Sequence, residues 1–368
     1  MSIEKSNINI PSLTVSEAKD AILMLYLNAI KKGIPLKKLP TPFFWGPPGV
    51  GKSESVYQFA EELGKKTGKK TVVQDVRLLL FSPVDLRGVP VADASREFTT
   101  WLKPQIFHMD DDLDVVNILF LDELSAAPQS VQAAAYQICL DRKIGEHKLP
   151  ENCIVVAAGN RITDQSVSYK MPKALCNRLI HFDIKTDYAS WRNWAIQNEI
   201  SDKVIAYLAF DNTRLYVEPE TSEIAYPTPR SWSFVSNLLM TTDNTPENIH
   251  TLIAGCIGES ATIEFESFCR GVLEMPNVEE IIAGKCKDLP KKHDVLYALI
   301  SNLVRIMKER CEDLSIEELD NILKYVMHFP KDFMMSFMTD VTSVDKLNKK
   351  LMKCRYFQMW VTKNKNIM

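Results

Sequence analysis

A ten-residue stretch, GPPGVGKSES at positions 46–55, leaves this chain few architectures to choose from. It follows the apolar run Pro42, Phe43, Phe44, Trp45, and after it Val56, Phe59, Ala60 and Leu63 recur at helical spacing. The stretch is therefore expected as a loop between a strand and the start of a helix. Gly46, Pro47, Pro48, Gly49, Val50, Gly51, Lys52 and Ser53 satisfy the pattern GxxxxGK[ST], in which small residues let backbone N–H groups close around phosphate oxygens at a helix N-terminus. Lys52 is placed to reach the β and γ phosphates of a nucleotide, and Glu54 completes the expected binding run. Ser53 offers a hydroxyl to Mg²⁺, a hard ion that keeps waters and takes few protein ligands.

A second feature supports the first. The apolar run Ile118, Leu119, Phe120, Leu121 ends in Asp122 and Glu123, so a buried strand delivers two carboxylates at its C-terminal end, where α/β sheets bind ligands. Asp122 is expected in the metal shell, and Glu123 as the group that orients and polarises an attacking water. Phosphoryl transfer asks a protein for charge neutralisation and a positioned nucleophile, so Glu123 separates a hydrolase from a protein that merely holds nucleotide.

Further apolar runs at 72–80, 115–121, 154–158 and 180–184 read as buried strands of a parallel sheet, with helical segments such as 130–141 between them. This alternation indicates a three-layer α/β domain. Ahead of it, Thr14 and Glu17 have capping-box spacing before a helical pattern that runs from Ala18 to Ile30 and stops near Gly33 and Pro35. Beyond Tyr188 strand signals fade. Helical patterns follow at 191–196, 204–210, 232–239, 249–257, 263–273, 293–307, 316–329 and 332–338. The expected division is an N-terminal helical segment at 1–40 packed on the core, an ATP-binding core at 41–185, a helical lid at 186–243 and a helical C-terminal extension at 244–368.

At 368 residues the chain exceeds one domain of about 150 residues. A net charge of -3 argues against a polyanion-coating surface. The eight cysteines show no zinc-like spacing and read as thiols in a reducing compartment. The beginning of the chain lacks a basic region followed by an apolar core, so a soluble, cytoplasmic protein is expected, without membrane contact. HMDDDLD at 108–114 reads as a solvated loop. The tail carries Lys346, Lys349, Lys350, Lys353, Arg355, Lys363 and Lys365, which could meet an acidic partner or nucleic acid but reads first as a solvated helix face, since Leu347, Leu351 and Cys354 recur at helical spacing.

From Phe43 to Leu239 the chain resembles the MoxR-like group of AAA+ ATPases. The resemblance rests on LLLFSPVDLRGVP (78–90), ILFLDELSAAPQSVQAAAYQICLDRKIGEHKLP (118–150), VVAAGNR (155–161) and MPKALCNRLIHFDI (171–184), which match the family in order and spacing. It implies an AAA+ three-layer αβα nucleotide-binding domain with a parallel sheet, then a helical lid, using ATP and Mg²⁺. By the same resemblance Asn160 falls at sensor 1, Arg178 at the arginine finger offered to a neighbouring subunit, and Arg230, within Thr228-Pro229-Arg230-Ser231-Trp232, at sensor 2. Arg161 and Arg142 are read either as interface arginines or as ordinary surface residues, and Trp101 as a pore-facing or a buried side chain. Asn177 and Leu179 depart from the family, where an acid precedes the finger and an aromatic follows it.

A finger in trans accounts for why such ATPases work as rings. The resemblance thus implies a homo-oligomeric ring, a hexamer, that hydrolyses ATP to remodel or activate a client protein, with a von Willebrand factor A domain protein as one candidate. Two other readings stand beside it: a nucleotide-gated assembly scaffold or sensor, and a DNA-acting AAA+ ATPase, against which the slight negative charge counts.

Overall fold

The computed structural model describes residues 10–164, 168, 169, 171–220, 222–242, 245–272 and 276–363. The expectations for the chain's first nine residues, for Leu273 and for Lys365 lie outside them. The chain divides into two compact units, split after Ser190.

The first unit is built on six parallel strands: β1 (Ser12–Thr14), β2 (Thr41–Trp45), β3 (Lys70–Arg77), β4 (Val115–Asp122), β5 (Cys153–Gly159) and β6 (Leu179–Lys185), in the spatial order β1-β6-β2-β5-β4-β3. All of β5 is buried, as is β4 up to Leu121. Runs apolar on both faces are what central parallel strands need, because helices cover each side. One face packs against α1 (Val15–Lys31) and α2 (Lys52–Thr67), where Tyr26 and Phe59 meet with ring centroids 5.8 Å apart. The other packs against α3 (Gln129–Asp141), whose Val131, Ala135 and Ile138 share a core with Phe43, Leu119, Leu121 and Val155. The three-layer αβα architecture is thus present.

The capping box at the start of α1 forms as expected, with Thr14 Oγ1 accepting from Glu17 N and Glu17 Oε2 accepting from Thr14 N. Ser12–Thr14 pairs with Asp183–Lys185 and adds an edge strand that so short a polar segment does not announce. Residues 78–80, expected to extend the strand that began at 72, instead turn as a 3₁₀ segment. The reason is register: Arg77 is matched with Asp122, the last residue of β4, so no ladder remains for Leu78 to join.

The second unit is helical, with its principal helices at Asp202–Phe210, Pro229–Thr242, His250–Ile257, Glu259–Val272, His293–Glu309, Ile316–Val326, Lys331–Thr342, Asp345–Leu351 and Arg355–Lys363. An aromatic cluster forms where Tyr207 meets Trp232, Phe265 and Phe268 at centroid distances of 5.4, 5.4 and 5.5 Å. A second core gathers Leu299, Leu303, Leu323, Phe337 and Phe357. Leu347, Leu351 and Cys354 are fully buried in it, so the basic tail presents a helix face whose apolar side is core. Lys350 Nζ donates to the carbonyls of Cys311 (2.8 Å) and Leu314 (2.6 Å), and Lys346 pairs with Glu312 at 3.0 Å. Among the described residues no helix is long and apolar enough to cross a membrane.

Candidate functional site

The C-terminal ends of β2, β4 and β5, neighbours in the sheet, bring the motif residues together. Gly46 leaves β2, and the loop ends at Gly51, whose φ of +98° lies in the left-handed region that favours glycine. There the chain turns directly into α2, with Lys52 and Ser53 in its first turn. Lys52 is buried, and its Nζ donates to the carbonyls of Gly46 and Pro47 (2.8 Å for the second) and to Asn160 Oδ1 at 2.9 Å. Ser53 Oγ donates to Asp122 Oδ2 at 2.9 Å. Pro48 and Gly49 are half-buried within the loop, Val50 is buried, and Glu54 is half-buried one residue beyond Ser53.

Glu123 sits just past β4 with φ of +57°, an uncommon conformation for a side chain with a Cβ. Its own N–H donates to Asp122 Oδ1 at 2.9 Å, while its carbonyl accepts from Ala126 N and Ala127 N. One Asp122 oxygen is thus held by the Glu123 backbone and the other by Ser53.

A serine that no motif flags fixes Asn160. Ser125 is fully buried; its Oγ accepts from Asn160 N at 2.8 Å and donates to Asn160 O at 2.9 Å. With its backbone clamped, Asn160 presents Oδ1 to Lys52. The clamp also explains Gly159, where a Cβ would lie 2.5 Å from Ser125 Oγ and 2.9 Å from the Phe43 ring. Any side chain there would separate the two strands that carry the site.

The arginines sort differently. Arg178 is exposed, in the turn between the short helix Lys173–Cys176 and β6, and its N–H donates to Leu175 O at 2.8 Å. Arg230 is exposed in the second unit, in the first turn of Pro229–Thr242, where Ser231 N donates to Thr228 Oγ1 at 3.0 Å and Thr228 N to Ser231 Oγ at 2.7 Å. Arg142 and Arg161 are both tied inside their own chain. Arg142 is buried at the end of α3 and donates to Leu39 O at 2.9 Å, and Arg161 pairs with Asp183 and donates to Ile184 O at 3.3 Å. Arg142 is thus an interior residue, not a surface one. Trp101 is half-buried in an antiparallel hairpin of Val89–Ala92 with Thr99–Leu102, and its carbonyl bonds His147 Nε2 at 2.8 Å.

A buried ammonium at a helix N-terminus, a hydroxyl shared with a carboxylate, and a second carboxylate held beside it form a donor set suited to a nucleotide's phosphates with a divalent cation. Residues 42–184 match the model of the ATPase family associated with various cellular activities, AAA. The matched segment runs from β2 to β6. Within that family the chain resembles the MoxR-like group. Chaperone MoxR1 of Mycobacterium tuberculosis is 29% identical over 150 residues, 39% of this chain and 36% of that relative. The match therefore spans about a third of the relative's length. Among solved structures, the ORC2 protein of Aeropyrum pernix is 11% identical, with 93% of this chain and 88% of that one covered and a TM-score of 0.40. A chain from the HORMA:CdnC:Trip13 complex of E. coli MS115-1 is 13% identical, with 70% and 88% covered and a TM-score of 0.38. At these scores neither structure carries an argument about what the AAA domain of this chain does.

Proposed function

We propose that this chain hydrolyses ATP as one subunit of a homo-oligomeric ring and uses the cycle to remodel a client protein. The observation that carries the reading is the convergence of Lys52, Ser53, Asp122 and Asn160 at three adjacent strand ends, with Glu123 next in sequence to Asp122. In this reading the backbone of 46–51 and Lys52 bind the phosphates, and Ser53 and Asp122 hold Mg²⁺. Bound there, the ion neutralises charge on the transferring phosphoryl group. Glu123 orients a water and draws its proton as the water oxygen bonds to the γ phosphorus and the bridge to ADP breaks. Asn160 shares Lys52 and helps direct the water.

Arg178 is assigned to the neighbouring subunit's nucleotide, on the strength of its exposure and its place in the MoxR-like motif. Arg230 is assigned to the phosphates on its motif alone. Fingers are worth about 10³ to 10⁵ in rate, so isolated subunits are expected to be nearly inactive. A hexamer, and a client carrying a von Willebrand factor A domain, follow from the family resemblance. The test is phosphate release from ATP with Mg²⁺, with chelated metal and Lys52→Ala as controls. The reading requires release that both controls abolish, and it fails if the wild type at oligomer-forming concentration releases none.

A further inference from the structure

The strand that enters the phosphate loop and the turn that carries Arg178 are joined by one side chain. Trp45, the last residue of β2, directly precedes Gly46, whose carbonyl accepts from Lys52. Its indole Nε1–H donates to His181 Nδ1 at 2.9 Å. His181 lies on the adjacent strand β6, and its Nε2 bonds the carbonyl of Cys176 at 2.7 Å. An indole N–H can only donate, so Nδ1 must accept and the ring proton must sit on Nε2, where it donates to Cys176 O. The two rings meet edge to edge, with centroids 6.0 Å apart and an interplanar angle of 26°.

Cys176 is the last residue of the short helix Lys173–Cys176, and Arg178 follows two residues later. That helix has four residues and no side-chain cap at its N-terminus. Its turn is also held by local backbone bonds, Asn177 N to Lys173 O at 3.0 Å and Arg178 N to Leu175 O at 2.8 Å, and by the burial of Leu175 and Leu179 on either side of Arg178. So short an element has little stability of its own. A charge-stabilising guanidinium that must meet a reacting group needs placement to within about 0.5 Å.

We propose that His181 is a positioning residue for Arg178: it anchors the arginine's turn to Trp45 at the base of the phosphate loop, so that the finger offered to the neighbouring subunit is set by the subunit's own loop. This rests on the function proposed above. Because the finger acts in trans, the inference makes an unusual demand. Loss of His181 must leave a subunit's own nucleotide site intact and damage the site next door.

The experiment compares His181→Ala and His181→Gln. Glutamine carries an acceptor and a donor about as far apart as the two imidazole nitrogens, so it can bridge Trp45 and Cys176 where alanine cannot. His181→Ala is expected to bind a fluorescent ATP analogue as the wild type does and to lose about tenfold or more in turnover. Mixing it with Glu123→Gln, which has no working base but an intact Arg178 turn, should give more turnover than the two proteins measured apart. His181→Gln should restore turnover without mixing. Independently of turnover, the Trp45 indole N–H should exchange slowly with D₂O in the wild type and in His181→Gln, and quickly in His181→Ala. Weakened nucleotide binding by His181→Ala, no gain on mixing, or equal loss in the glutamine variant would overturn the assignment of His181. A wild type without turnover would overturn the ATPase reading itself, and this assignment with it.

Discussion

The two units use buried polar groups in opposite ways. In the first unit one group of polar side chains gathers at strand ends, Ser53 with Asp122, Asn160 with Lys52, and Ser125 beneath Asn160, while Arg142 is buried apart from it against Leu39 O. In the helical unit buried polar groups tie helices to one another. Arg192 pairs with Asp340 and donates to Ser336 Oγ at 2.8 Å. Burial outweighs the attraction of Arg192 and Lys308 and pushes the Asp340 carboxyl up to about 6. A buried ion pair is weak evidence of net stabilisation, but removing one partner strands the other. Polar burial at a sheet's C-terminal edge therefore points to ligand chemistry, whereas between helices it points to architecture.

Substitutions can break this contrast. The largest effect expected is on function in the first unit: Glu123→Gln should lower turnover about 10²- to 10⁴-fold, the range for a positioned general base, while ATP binding is retained. Phosphate release measured beside equilibrium binding checks both halves, and loss of binding in parallel would deny Glu123 a role confined to the chemical step. In the helical unit, Asp340→Ala should cost about 3–5 kcal/mol of stability, because it leaves Arg192 buried without its counter-ion. Denaturant unfolding followed through the helical unit's tryptophans reads this, and a change confined to turnover would place Asp340 in the wrong class.

Between these extremes lies Ser125→Ala. It removes two hydrogen bonds from a fully buried clamp, which costs about 1–3 kcal/mol, and it should loosen Asn160 enough to lower turnover as well. A variant that lost stability but hydrolysed ATP at the wild-type rate would make the clamp architectural only. The smallest effect concerns His250, which lies between Glu266 and Glu259 with both ring nitrogens bonded, at 2.8 and 3.0 Å. Those carboxylates raise its pKa, Glu266 first. A raised folded pKa gives stability that is full below the unfolded value of about 6.5 and lost as pH climbs through the folded value. Thermal unfolding of the helical unit should therefore shift slightly downward across neutral pH, and His250→Ala should flatten that shift.

The same contrast governs what could be read from the residues alone. The phosphate loop and the acidic strand end are legible because each is a short sequence whose chemistry requires its neighbours in order, whereas Asn160 comes through the family resemblance. The helices of the second unit were legible as periodicity, and Leu347, Leu351 and Cys354 mark the buried face of the tail correctly. Partners distant in sequence were not legible. Nothing near Ser125 signals that it will clamp Asn160, 35 residues on, and nothing in LDRKIGEHKLP signals that Arg142 turns inward to Leu39, 103 residues back. The end of β3 depended on where β4 stops, which is a property of register and not of residues 78–80.

The central claim is that the AAA unit hydrolyses ATP only when a neighbour's Arg178 completes its site. It is tested most directly by phosphate release per subunit across a range of protein concentrations, for the wild type and Arg178→Ala, alongside light scattering. Wild-type turnover per subunit is expected to climb steeply as the protein assembles, and Arg178→Ala to assemble and bind ATP but stay about 10³-fold slower at every concentration. Turnover per subunit that is independent of assembly, or that survives in Arg178→Ala, would contradict it.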